Sequence, residues 1–372
     1  MRVCFFVANL GDGGAQRQCV ALLNLLQHQP DMDVHLILLG AGEYERDLDT
    51  SDLTVHRTEV PNFSSPAALI FVLRTLRRIR PDVLMSWLHP ADIWSYPATR
   101  MVRGVRWVLA ERSSTYPDEL VYRVRKRLGC LGADLVIPNS EPGAQLWAAL
   151  SPRTPVRVIP NMTLGTPGVG ADSGRQAATD CLYVGRFMPQ KNVTAIAEAF
   201  ASFAIAHPQA HLRMAGQGDQ QDDVRQIAAD AGMGGRVELL GFRSDIPALM
   251  GQARLLLSFS RYEGMPNVVM EAVTSGLPVV VSDIPEHRVL LGPDYPYYVD
   301  LDAGPAAGAD AIARAWTDGP RHVSALYAHA REVLAASAPD RVVAAYVDAF
   351  RSVVARPSTH ALSVPRAAEN GL

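Results

Sequence analysis

Lysine is almost missing from this chain: 35 residues are Lys or Arg, and only Lys126 and Lys191 are lysines. A lysine placed where chemistry could use it is therefore informative. Cysteine is scarce as well. Cys4, Cys19, Cys130 and Cys181 are scattered with no C-x-x-C pair, which argues against a structural zinc and a disulfide framework and fits a reducing compartment. No apolar run approaches the ~18 residues of a membrane span, and Arg2–Val7 is too short for a secretory signal. Net charge is only −3, so no whole-chain field attracts nucleic acid. These absences predict a cytoplasmic protein without a nucleic-acid partner.

What is present is an ordinary globular composition, 48% hydrophobic and 20% charged over 372 residues, enough for two cores of about 150 residues. Apolar runs at Val3–Ala8, Val34–Leu39, Val83–Trp87, Trp107–Ala110, Leu135–Pro138 and Val156–Ile159 read as strands. Amphipathic stretches such as Ala15–Gln27, Pro66–Ile79, Glu119–Leu131 and Glu141–Leu150 separate them. Continuous apolar strands between helices of that length indicate a parallel sheet covered on both faces. A Gly/Ser/Pro-rich stretch then intervenes, and the alternation restarts at Cys181–Val184. Further strands follow at Leu212–Ala215, Val237–Leu240, Leu255–Phe259, Pro278–Val281 and Tyr297–Val299. The expected layout is an α/β chain of two Rossmann-like domains facing across a cleft: 1–161, a linker at 162–179, and 180–338. A terminal helix at 339–356, expected to cross back to the first domain, precedes a disordered tail at 357–372.

The motifs fall at the carboxyl ends of these strands, where such folds bind ligands. Glu263-Gly264-Met265-Pro266-Asn267 leads to Glu271, two carboxylates eight residues apart, with a helix over Asn267–Thr274. Free N–H groups at that helix start can hold hydroxyls or an anion, and Glu271 can accept from vicinal hydroxyls. Arg186 and Lys191 follow the strand ending at Gly185, two cations suited to a departing diphosphate. Gly13 and Gly14 form a glycine-rich turn after the first strand, and His89 follows the strand ending at Trp87. Glu111 and Arg112 follow Trp107–Ala110 and serve either an acceptor or an ion pair tying two loops. Gly216 and Phe242 end strands of the second unit and suit a nucleobase. Asp31/Asp33, Asp47/Asp49 and Asp300/Asp302 lie in polar connections or a late loop, and no metal site is assigned to them.

The order and spacing of Gly185-Arg186…Lys191 and Glu263…Glu271 resemble the retaining glycosyltransferases of family 4, which have the GT-B fold; Gly13-Gly14 and His89 match them in position. The resemblance implies a nucleotide-sugar donor, UDP-linked, in the second lobe. Arg186 and Lys191 would bind its diphosphate and Glu271 its ribose. Glu263 with the Gly264–Asn267 backbone would hold the sugar hydroxyls, Gly14 would approach the phosphate, and His89 the sugar's far edge. It also implies a hexose or N-acetylhexosamine moved with retention to a glycan or polyprenyl-linked acceptor, by front-face attack, with no metal and no cofactor. Rival readings are a non-hydrolysing sugar-nucleotide epimerase, a pyridoxal-phosphate phosphorylase and an inactive binding lobe pair. A last expectation concerns charge. Asn62–Asn161 carries 14 Arg and Lys against 7 Asp and Glu. Arg74, Arg77 and Arg78, with a second patch of Arg123, Arg125, Lys126 and Arg127, would place the first lobe on the anionic inner face of the cytoplasmic membrane.

Overall fold

The computed structural model describes residues 1–11, 13–60, 62–63, 65–113, 118–164 and 178–356. Ser114, most of the expected linker and the expected tail lie outside the described residues.

The first lobe carries strands β1 (Arg2–Val7), β2 (Asp33–Leu38), β3 (Leu53–Arg57), β4 (Val83–Trp87), β5 (Arg106–Glu111) and β6 (Leu135–Pro138). All pair in parallel, in the order β3-β2-β1-β4-β5-β6. Its helices are α1 (Gly14–Leu26), α2 (Pro66–Ile79), α3 (His89–Met101), α4 (Leu120–Gly132) and α5 (Glu141–Leu150). The centre of the sheet is dry because both faces are covered: every residue of β4 is buried, and in β1 all but Arg2. That is why these strands read as unbroken apolar runs.

The second lobe repeats the plan with β7 (Asp180–Val184), β8 (His211–Ala215), β9 (Val237–Gly241), β10 (Leu255–Ser258), β11 (Val279–Ser282) and β12 (Tyr298–Val299). Its order is β12-β11-β10-β7-β8-β9, all parallel. The helices that matter here are α6 (Val193–Ala206), α7 (Gln221–Asp230), α8 (Ile246–Gln252), α9 (Asn267–Thr274) and α10 (Pro285–Leu291). After α11 (Pro305–Ala325) and α12 (Ala328–Ala335), α13 (Pro339–Ala355) leaves this lobe. Val342, Val343, Tyr346, Phe350 and Val353 of α13 are buried in the first lobe's core together with Phe5 and Trp87. Burying each such side chain is worth about 1.5–3 kcal/mol, so this helix straps the second lobe to the first.

Two expectations change. Leu53–Arg57 is a strand the apolar pattern does not mark: at the sheet edge only Leu53 and His56 are buried, and exposed Thr54 and Arg57 dilute the run. Val156–Ile159, expected as a strand, runs beside β6 through hydrogen bonds at Val136, Arg157 and Ile159, but only Val156 forms a bridge. Pro155 and Pro160 bound it and cannot donate to a ladder.

Candidate active site at the two switch points

In each sheet the strand order reverses direction at one place, between β1 and β4 and between β7 and β10. Connections leave those neighbours toward opposite faces, so a crevice opens at their carboxyl ends. The first switch point delivers Gly13, Gly14 and His89; the second delivers Gly185–Lys191 and Tyr262–Glu263. All of these except Phe187 and Pro189 line one cavity of about 700 Å³ between the lobes, which also takes in Gly216, Phe242, Gly264, Met265, Asn267 and Glu271.

Charge divides this cavity. Among the described residues, five cationic side chains (Arg17, Arg112, Arg186, Lys191 and Arg243) and two carboxylates (Glu263 and Glu271) line it. Lys191 donates from Nζ to Glu263 Oε1 at 2.5 Å, with only 21% and 8% of the two side chains exposed. Burial alone raises the Glu263 carboxyl. The charge and hydrogen bond of Lys191, a bond from Ser260 and the nearby His287 outweigh it and hold the group below the ordinary carboxylate range. Glu263 is therefore an anion at neutral pH. Arg186 is exposed on the wall and forms no ion pair among the described residues.

Glu271 sits one turn into α9 and accepts from Arg17 Nη1 at 2.7 and 2.9 Å on its two oxygens. Arg17 belongs to α1, so this pair spans the cleft. Nearby, Asn161 Nδ2 donates to Asn267 Oδ1 at 2.7 Å, and the Asn161 N–H approaches Met265 Sδ at 3.3 Å. Gly264 is required by close approach: a Cβ there would sit 2.5 Å from the Arg112 carbonyl oxygen. Gly216 answers to the same need within the second lobe, since its φ is +137° and a Cβ would meet the Gly185 carbonyl at 1.8 Å.

His89 is the first residue of α3 rather than a loop residue. The helix was obscured in the sequence by Pro90 and Pro97 within it. Its ring packs edge-on against Tyr122, with 5.3 Å between centroids. Burial first, then the Arg125 charge, lowers the imidazole below its usual range against the opposing pull of Glu119. His89 is thus neutral at pH 7 and can exchange single hydrogen bonds with a bound hydroxyl.

Three sequence readings are corrected by position. Glu111 does not face the cavity: it is fully buried, and Arg125 and Trp147 donate to its Oε2 at 2.8 and 2.7 Å. Neither expected role describes it: its cation is Arg125, while the Arg112 guanidinium turns to Trp87 and Asn161. Arg125 is 1% exposed and so belongs to no surface patch. Pro266 is buried at the start of α9 and does not line the cavity. Phe242 does line it, but its ring also meets Tyr44 of the first lobe edge-on at 5.8 Å and lies 5.5 Å from the Arg46 guanidinium. Arg112 lines the cavity while stacked 4.0 Å over Trp87, bonded to Asn161 Oδ1 and to the Tyr346 hydroxyl of α13.

Comparison with known proteins agrees with this geometry. Residues 13–162 match the model of a glycosyl transferase 4-like domain, and residues 175–332 match that of glycosyl transferases group 1. The chain belongs to the family 4 glycosyltransferases. Over 278 residues the transferase is 27% identical to the lipopolysaccharide core biosynthesis glycosyltransferase LpsE of Rhizobium meliloti (strain 1021), covering 72% of this chain and 75% of that one. Over 284 residues it is 23% identical to a Campylobacter jejuni enzyme named as a GalNAc-alpha-(1->4)-GalNAc-alpha-(1->3)-diNAcBac-PP-undecaprenol alpha-1,4-N-acetyl-D-galactosaminyltransferase, covering 73% and 77%. Among solved structures, Anabaena Alr3699/HepE in complex with UDP and glucose superposes with a TM-score of 0.80. That match has 19% identity and covers 95% of this chain and all of that one, so the GT-B fold is shared. These relatives are transferases, and the epimerase reading finds no support.

Sequence reasoning missed Arg17, Tyr122 and Asn161 of the transferase. Arg17 had a signal, an arginine three residues past the Gly13-Gly14 turn on a helix opening at the cleft. Tyr122 and Asn161 had none: Tyr122 meets His89 only because α3 and α4 pack together, and Asn161 meets Asn267 only across the lobes.

Proposed function

We propose that the enzyme is a retaining, metal-independent transferase that moves a hexose or N-acetylhexosamine from a UDP-linked donor to a glycan or polyprenyl-linked acceptor. The observation that carries this reading is the meeting of Arg186, Lys191, Glu263 and Glu271 on one cavity wall opposite Gly14 and His89. Arg186 and Lys191 neutralise the leaving diphosphate, the charge that a divalent cation would otherwise supply. Glu263 and Glu271, the carboxylates that the described residues place in the cavity, are already ion-paired to Lys191 and Arg17, which supports a site that works without a metal. Glu271 receives the ribose hydroxyls. Glu263 and the amides at the start of α9 hold the sugar, with Gly14 near the phosphate and His89 at the sugar's far edge.

Retention by double displacement needs a free carboxylate on the face opposite the leaving group. Among the described residues lining the cavity, Glu263 and Glu271 are the only carboxylates, and both are engaged by cations. That favours front-face attack, in which the acceptor hydroxyl bonds to the anomeric carbon as the phosphate oxygen departs and takes its proton. A UDP donor and a lipid-linked acceptor accord with what the names of HepE's complex and the Campylobacter enzyme state. No described helix is long and apolar enough to cross a membrane. The basic face of α2 favours peripheral contact with an anionic inner leaflet instead.

The test is Glu263→Ala assayed for transfer and for donor binding in parallel, with and without chelator. Turnover should fall at least about 100-fold while donor affinity moves far less, because the carboxylate orients the sugar during transfer. Wild-type transfer should persist in excess chelator. A variant with near wild-type turnover removes the sugar assignment, and chelator-sensitive transfer restored by Mg²⁺ removes metal independence.

A further inference from the structure

Behind the first-lobe wall of the cavity lie three charged side chains that do not line it. Asp92 of α3, Glu111 at the end of β5 and Arg125 of α4 are each at most 1% exposed. Arg125 donates from Nε to Asp92 Oδ2 at 2.6 Å and from Nη1 to Glu111 Oε2 at 2.8 Å. Ser86 Oγ donates to Asp92 Oδ1 at 2.5 Å and itself accepts from Trp107 Nε1 at 2.8 Å. Two buried carboxylates share one guanidinium. Stability alone does not account for such a cluster, since buried ion pairs are commonly no better than apolar side chains of the same volume.

Its connections do account for it. Asp92 lies in the first turn of α3, three residues past His89, and its N–H bonds the Leu88 carbonyl at 3.2 Å. Leu88 has φ +73°, a left-handed conformation that a leucine keeps only where its surroundings over-determine it. On the other side, Glu111 Oε1 accepts the successive backbone N–H groups of Arg112 and Ser113 at 2.9 and 3.2 Å. Arg112 and Ser113 line the cavity, and the Arg112 carbonyl is the surface against which Gly264 closes. One guanidinium thus ties the His89 helix start to the Arg112–Ser113 turn, two first-lobe segments that line the cavity.

We propose that Arg125, held between Asp92 and Glu111, is a positioning residue for the first-lobe side of the transferred sugar. It acts through His89 and the Arg112–Ser113 turn and touches no substrate. This rests on the reading of the second lobe as the donor site. If it is right, damage to the cluster impairs turnover and leaves UDP binding alone.

The experiment uses the full chain with Asp92→Asn and Arg125→Lys, and Glu111→Gln as a third variant should either fail to fold. Asp92→Asn keeps the volume and removes a charge. Arg125→Lys keeps the charge and removes the fork that spans both carboxylates. We expect kcat per folded enzyme to fall about 10–100-fold, the scale of a small displacement of reacting groups. The UDP concentration at half-maximal thermal shift should stay within about twofold of wild type. A merely structural cluster would lower the melting temperature and leave kcat per folded enzyme near wild type, which overturns the proposal. Equal loss of kcat and UDP binding overturns it too. A wild-type protein that gives no thermal shift with UDP overturns the donor reading instead.

Discussion

At the scale of single residues, the site works by pairing charges that would be costly alone. Breaking a buried pair by removing one partner costs about 3–5 kcal/mol, so loss of Lys191 would leave the buried Glu263 without its main compensating charge. The neighbouring histidine follows the opposite logic. His287 of α10 is fully buried, with Nδ1 2.8 Å from the Ser282 carbonyl oxygen, to which it donates. Burial lowers its pKa below the usual range, helped by the Lys191 charge, although the Ser282 bond, Glu263 and Asp283 pull the other way. A histidine held neutral when folded contributes full stability above its unfolded pKa of about 6.5 and loses it as pH falls toward the folded value. The buried pair His35 and His56 shifts in the same direction. Urea midpoints of the wild type should therefore drop between pH 7.5 and pH 5.5. His287→Asn, which can still donate toward Ser282, should show a shallower drop; an unchanged slope would assign the pH dependence elsewhere.

At the scale of elements, the helices divide into those whose pattern was plain and those it concealed. In α2 the buried residues Val72, Leu73, Leu76 and Ile79 recur at helical spacing, and the helix was legible for that reason. The same pattern shows that its apolar stripe is spent on the sheet and that only the basic face is free. Arg74, Arg77 and Arg78 are exposed, yet Arg78 Nη2 already donates to His56 Nδ1 at 2.8 Å. Exposed arginines near anionic lipid are worth about 1 kcal/mol each. Wild-type protein should float with anionic vesicles and not with neutral ones at low salt. Arg74→Ser with Arg77→Ser should abolish most of that, and Arg78→Ser should subtract least. Flotation unaffected by the double change would move the contact to another surface. In α4 the pattern misled, because Arg125 looks like its neighbours Arg123 and Arg127 in sequence. Gly129, whose added Cβ would come within 2.5 Å of Trp147, lets this helix pack close to the Trp147 ring near Arg125.

At the scale of the whole molecule, the described residues join the lobes through short polar, ring and backbone contacts. They include Arg17 with Glu271, Asn161 with Asn267, Tyr44 with Phe242, and Gly264 against the Arg112 backbone. Such interfaces permit domain motion by default. Gly264 has no positive-φ requirement, so Gly264→Ala tests the contact sterically without straining the local backbone. The added methyl would press on a backbone oxygen that cannot rotate away. Small-angle scattering should show a larger radius of gyration than wild type in the absence of nucleotide, and turnover should fall with little change in melting temperature. An unchanged radius would mean that the lobes reach this approach only on binding ligand.

Local chemistry determined much of this protein by itself. Apolar runs of strand length, alternating with amphipathic stretches, specify two parallel sheets because a strand buried on both faces has no room for polar side chains. The spacing of Arg186, Lys191, Glu263 and Glu271 was readable because each follows an apolar strand at the end where ligands bind. Tertiary structure decided what one-dimensional order cannot carry. Whether Glu111 and Arg125 face solvent or each other depends on how α3, α4 and β5 stack. Arg17 acquires its function from a carboxylate 254 positions away. Edge strand β3 exists through its partner β2, and α13 is a first-lobe helix only because the core there leaves space for it. Burial and long-range pairing are properties of the packed chain, so residues defined by them become visible only once the lobes are assembled.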